Sequence, residues 1–229
     1  SLFYLIALKE EDCFKKSFNN YSIIPGLLLS MILPINTPLW VLILGCIFSI
    51  IVSKMLFGGF GYNIFNPALV GYVFFMAAFY DVISNNGLYL NVQESMDIVS
   101  GVTPLSDFKN VLNGSIKLDE VIANHGGLLN MFIGYNSGSL AETSALLCII
   151  SYFFLVFRRV IDFLTPLIFI ITSFIFTYFV GAFIGYSNTS DFAMFNILNG
   201  GLMFSSVFMI TEPVTSPKNM HAKYLYVFF

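Results

Sequence analysis

Residues 163–186 read FLTPLIFIITSFIFTYFVGAFIGY, 24 positions without one charged side chain. At about 1.5 Å per residue this makes roughly 36 Å of helix, enough to cross a hydrocarbon core of about 30 Å. Backbone polar groups cannot go unpaired in lipid, so such a stretch folds as helix rather than as an open strand. The composition extends that reading to the whole chain. Of 229 residues, 57% are apolar and 10% charged, against about 25% charged in an average soluble protein. Mean hydropathy is +0.83, and 27 Phe, 12 Tyr and one Trp add bulk. A soluble domain of this size cannot hide so much apolar surface. A cytosolic globule, a disordered tail and a secreted disulfide scaffold are excluded.

Charge-free runs mark the other spans. Residues 17–53 carry no charge but are broken by Pro-Ile-Asn-Thr-Pro at 34–38. The piece at 21–33 is too short to cross alone and reads as a broken helix facing protein or a cavity. Residues 38–57 form a second span with Lys54 near its end, and 55–80 a third, punctuated by GGFGYN and Pro67. After a polar stretch at 81–143 come a short span at 144–157, the full one at 163–186 and another at 192–210. The expectation is one all-α, multi-span integral membrane domain over residues 1–229. Its ends, in SLFYLIAL and LYVFF, read as cut within hydrophobic segments, so a fragment truncated at both ends is expected.

Placing Lys9, Lys15, Lys16, Lys54, Arg158, Arg159, Lys218 and Lys223 on one side connects the spans without conflict. Only Lys109 and Lys117 fall opposite. That positive-inside bias puts residues 81–143, with seven acids and two lysines, outside the cytoplasm. A weak internal echo joins SIIPGLLLSMIL and FNPA in the first half to SALLCIISYFFL and TEPVTSP in the second. Short, Pro-interrupted segments in matching places suggest inverted repeats around a central site.

Few residues offer chemistry. A net charge of -3 and the lack of a basic stripe argue against nucleic acid. Cys13, Cys46 and Cys148 lie far apart, and His125 and His221 are the only histidines, so no metal site is readable. In GGFGYNIFNPALVG (58–71), Asn66 is expected to cap a helix that has Pro67 in its first turn. Asn63 and the N–H groups of that helix end would suit a polar ring edge or an anion, while helix termination and close packing by small residues explain the same run. In DIVSGVTPL (97–105), Gly101 frees the backbone and Pro104 holds Thr103 extended. An extended Thr beside a Gly offers its hydroxyl to a modifying enzyme, or simply starts a helix. Glu142, at the mouth of an apolar run, either complements a helix N-terminus or serves an ion or proton path. Glu212 has the same two readings.

Four motifs, in order, carry a resemblance: GGFGYNIFNPALVGYVF, SGVTPL, GSLAETSALLCIISYFFLVFRRVI and NGGLMFSSVFMITEPVTSP. Over Ile23 to Pro217 the chain resembles the RnfD/NqrB family. RnfD belongs to the Rnf complex, an ion-translocating ferredoxin:NAD oxidoreductase. Its sister NqrB belongs to the sodium-translocating NADH:quinone reductase. The ValThrSerPro ending favours the RnfD branch.

The resemblance implies an enzyme subunit of the bacterial inner membrane that works with the other subunits of its complex and with lipid. It implies FMN joined by a phosphoester to the threonine of an Asp-x-x-Ser/Thr-Gly-Ala-Thr motif, installed by a separate flavin transferase. Here that threonine is Thr103, with Asp97, Ser100 and Gly101 in the surrounding positions and Val102 where the family has alanine. A urea-channel-like inverted-repeat fold is implied too. A second, non-covalent flavin (riboflavin) would lie nearer the cytoplasmic face, with Asn63 and Asn66 in its lining. Glu142 and Thr143 are further candidate cofactor residues. The competing readings are a passive urea-type channel and a stand-alone flavin carrier.

Overall fold

The computed structural model describes residues 23–34, 37–58, 61–86, 90–91, 99–100, 103–113, 116–186, 188–199 and 201–228. The chain divides into two compact units, Ser1–Gly87 with Glu212–Thr215, and Leu88–Thr211 with Ser216–Phe229.

In the first unit, α1 (Ile23–Ile32) and α2 (Leu39–Ile50) flank the prolines of the 34–38 break. The α2 helix runs on into a π-helical turn, Ile51–Met55. After the glycine-rich loop come α3 (Pro67–Ala78) and α4 (Tyr80–Asn86). Helix α2 packs on α3, and α1 on both. Glycines set how closely they approach. A Cβ on Gly71 would lie 2.7 Å from Leu29 Cδ2, and one on Gly45 would lie 2.0 Å from the Phe75 ring. Small residues at crossings let apolar helices meet backbone to side chain. The core they enclose is Leu29, Leu33, Val41, Phe75 and Ile83.

The second unit opens with a two-residue antiparallel ladder, β1 (Leu90–Asn91) against β2 (Val99–Ser100), with Leu90 opposite Ser100. Apart from a single bridge residue at Gly138, all else regular among its described residues is helical. Three short helices follow: α5 (Pro104–Leu112), α6 (Leu118–Asn124) and α7 (Gly127–Ile133). Then come α8 (Ala145–Phe157), α9 (Leu164–Ile184) and α10 (Thr189–Leu198). A short α11 (Leu202–Phe204) leads into a second π-helical turn, Ser205–Met209, and α12 (Met220–Phe228) closes the unit.

Helix α9, 21 residues long, is the one described helix whose length and apolarity suffice by themselves to cross a membrane. It stops at Gly185, in the left-handed region at φ 88°. There the Tyr186 N–H donates to Gly181 O and the Gly185 N–H to Ala182 O, the pattern that satisfies the last carbonyls of a helix. Its outer face, Phe176, Phe179 and Phe183, is exposed, as expected of a surface solvated by lipid. Four other apolar helical segments, 23–32, 39–55, 67–78 and 145–157, are shorter.

The span expected at 192–210 is present as a bent pair of helices that together are long and apolar enough to cross. Helix α10 and the segment 202–209 meet at an angle of 65°. Gly201, at φ 69°, starts the second piece, and a left-handed residue cannot continue a helix. The helical class stands, with one described helix long and apolar enough to cross a membrane, or two if the bent pair is one span.

Candidate functional site

Thr103 occupies the N-terminal boundary of α5. Pro104 takes the first helical position, where a missing N–H costs nothing. The Asp107 N–H donates to Thr103 O at 3.2 Å. Thr103 is half-buried and Pro104 buried. The helix behind them is anchored, with the Phe108 ring 5.5 Å from Phe192 and 5.4 Å from Phe195 of α10, and Val111 buried. A hydroxyl so placed stands at the positive end of a fixed helix, a suitable place for an attached phosphate. Of the residues expected around it, Asp97 and Gly101 lie outside the described residues, as does the side chain of Ser100.

Asn66 caps α3 as expected. Its Oδ1 accepts from the Ala68 N–H at 2.9 Å and the Leu69 N–H at 3.3 Å. The cap thereby engages two N–H groups of this helix end. Asn63 does something the sequence did not suggest. Its Nδ2 donates to Glu212 Oε1 at 3.1 Å, across 149 positions, and Thr215 Oγ1 donates to Glu212 Oε2 at 3.3 Å. Lys54, buried on the π-helical turn, interacts electrostatically with the same carboxylate. Asn63 itself is 4% exposed, and its Oδ1 has no hydrogen-bond partner.

A family model, described as the NQR2, RnfD, RnfE family, matches residues 3–229. The chain belongs to this family. It is 34% identical to the D-subunit of the proton-translocating ferredoxin:NAD(+) oxidoreductase complex of Clostridium ljungdahlii, over 88% of this chain and 59% of that protein. It is 30% identical to the D-subunit of the ion-translocating oxidoreductase complex of Stutzerimonas stutzeri, over 89% and 62%. With the B-subunit of the Na(+)-translocating NADH-quinone reductase of Yersinia pestis it shares 32%, over 93% and 51%. The chain thus spans between half and about three fifths of each of these relatives.

In this member of the NQR2, RnfD, RnfE family, Glu142 and Thr143 lie in the segment that joins α7 to α8. That segment buries Asn136, Ser137 and Ser139. Ser144 staples it, donating to Ile133 O at 2.7 Å and accepting from the Leu147 N–H. A Cβ on Gly134 would lie 2.8 Å from Ser144 Cβ, so the two helix ends meet closely. The Glu142 carboxylate faces Gly201 and Gly138, its Oε1 and Oε2 3.6 and 3.7 Å from where Cβ atoms would stand. Thr143 Oγ1 makes only a long 3.4 Å contact with Leu140 O.

Glu142 lies outside the helical spans. Burial pushes its carboxyl above the ordinary carboxylate range, while hydrogen bonding from Ser139 works the other way. A raised acid favours the fold when protonated. Its stability contribution is therefore fully present below the unfolded carboxylate range and is lost as pH rises through the raised value. Glu142→Gln is expected to flatten stability across that window and to unfold at a higher temperature than the parent near neutral pH. Thermal midpoints from acid to neutral pH check this, and parallel curves for the two proteins count against it.

Two connections escaped sequence reading. Lys54 reads as a topology marker, yet a lone cation in a long apolar run must find a carboxylate, and that was the available signal. His125 reads as an isolated histidine, yet its Nε2 lies 3.0 Å from Asp107 Oδ2, one turn along α5 from Thr103. No local pattern announces that pair.

Proposed function

We propose that this chain is a redox subunit of the bacterial cytoplasmic membrane that carries FMN covalently on Thr103. It would pass electrons within an ion-translocating ferredoxin:NAD oxidoreductase, alongside the other Rnf subunits and after maturation by a flavin transferase. The observation that carries this reading is the half-buried Thr103 at the N-terminal end of an anchored helix, off the long apolar helices. The names of the two D-subunit relatives support the same complex. A bound flavin supplies one- and two-electron chemistry, and the protein fixes its place and surroundings. Thr103 would hold the phosphate, and the amide end of α5 would face its charge. The positive-inside bias supports an extracytoplasmic position for this turn.

The second flavin, riboflavin, is proposed beside Asn63, whose orphaned Oδ1 fits a ring N–H donor. The inverted-repeat, urea-channel-like architecture also belongs to this proposal. The matching devices in the two units support it: a capped helix start at Asn66 in one and at Ser144 in the other.

Membership of the sodium-translocating NADH:quinone reductase, in the place of NqrB, is the second reading, favoured by the identity to the Yersinia pestis protein. Mass analysis of the peptide containing Thr103, from full-length protein produced with an active flavin transferase, tests attachment. A flavin-phosphate adduct on Thr103 is expected. An unmodified threonine defeats the redox reading and leaves the channel.

A further inference from the structure

The Asp107–His125 pair has a consequence for the same turn, and it rests on the attachment reading above. Asp107 lies in the first turn of α5, four residues after Thr103, with its own amide on the Thr103 carbonyl. Residues so spaced share one face of a helix. A carboxylate in a first turn is drawn to the free N–H groups and positive end of its helix. A phosphate joined to Thr103 needs those same groups, and two anions there repel each other.

In the structure the carboxylate is already committed elsewhere. Asp107 Oδ2 lies 3.0 Å from His125 Nε2, and the two side chains are only 24% and 13% exposed. His125 directly follows α6, which packs on α5.

We propose that His125 is a positioning residue for flavin attachment: it holds the Asp107 carboxylate toward α6 and so leaves the N-terminal end of α5 to the phosphate on Thr103. Transfer from a flavin dinucleotide forms the bond between Thr103 Oγ and the flavin phosphorus and breaks the donor's pyrophosphate. The nucleoside monophosphate leaves, the hydroxyl proton departs with it, and no electrons change hands.

The test measures the initial rate at which flavin appears on Thr103. Full-length apoprotein in detergent is mixed with purified transferase and flavin dinucleotide, and intact mass is followed. His125→Ala is expected to slow transfer about two- to tenfold, the range of one charge at a helix end. Asp107→Asn, which keeps the side chain's size and removes its charge, is expected to transfer at or above the parent rate. The double variant is expected to match Asp107→Asn.

Parent-like transfer in His125→Ala overturns the proposal, and so does a double variant as slow as His125→Ala. Should His125→Ala fail to elute as a folded species, Asp107→Asn decides: a rate below the parent overturns, a rate at or above it supports. A parent protein that takes no flavin on Thr103 fails the attachment reading itself, a result distinct from all of these.

Discussion

Thr103→Ala is expected to abolish the covalent flavin altogether. A phosphoester needs a hydroxyl at the attachment atom, and alanine offers none. The helix behind the turn should survive, because Pro104 begins α5 and Phe108 anchors it whatever residue stands at 103. Loss of the cap position costs on the order of 1 kcal/mol, too little to unfold an anchored helix. The readout is fluorescence of the denatured band under ultraviolet light: bright in the parent, dark in Thr103→Ala. Thr103→Ser keeps a hydroxyl and should recover part of the signal. A band that stays fluorescent in Thr103→Ala would place the attachment on another residue.

Gly45→Val is expected to be the most damaging single substitution in the first unit. Even a bare Cβ there would lie 2.0 Å from Phe75 Cζ and 2.2 Å from Cε1, far inside van der Waals contact. Phe75 cannot yield easily, since it is 0% exposed and central to the core with Leu29, Val41 and Ile83. Either α2 moves off α3 or the ring leaves its place. Overpacking of this kind costs about 3 kcal/mol or more, roughly a 10 °C fall in the thermal midpoint for a chain of this size. Gly45→Ala should already be destabilised, and pairing it with Phe75→Leu should recover much of the loss, because one contact is the cause of both effects. An unchanged midpoint in Gly45→Val would mean that the two helices do not cross here. Gly71, against Leu29 and Ser49, marks the same packing strategy one helix over.

These two expectations draw on different kinds of information. Thr103 stood out in the chain through the family resemblance of SGVTPL, since Gly101 and Pro104 by themselves read equally well as a helix start. The cap at Asn66 was legible from local chemistry: an amide side chain before a proline and an apolar run has few other uses. Charge-free runs marked the helices at 23–32, 39–55, 145–157 and 164–184 to within a few residues, since lipid excludes charge regardless of what the helix touches, while the run at 55–80 holds its helix only from Pro67, after the glycine-rich loop. Polarity alone did not reveal the 65° bend at Gly201. The run there is as apolar as a straight span, and only the left-handed backbone distinguishes it. Nor did polarity reveal that residues 136–139 are buried, for serine, asparagine and glycine in a row read as a wet loop.

The amino-acid sequence by itself determined that this is a helical membrane protein, because the cost of charge in lipid is a local matter, and its motifs carried the family resemblance that singles out Thr103. Only the tertiary structure decided that Asn63 and Lys54 share the Glu212 carboxylate, that His125 takes up Asp107, and that Gly45 must stay bare beneath Phe75. Those pairings join residues from different elements, up to 149 positions apart. They depend on where packing brings the elements, which no period or motif along the chain encodes.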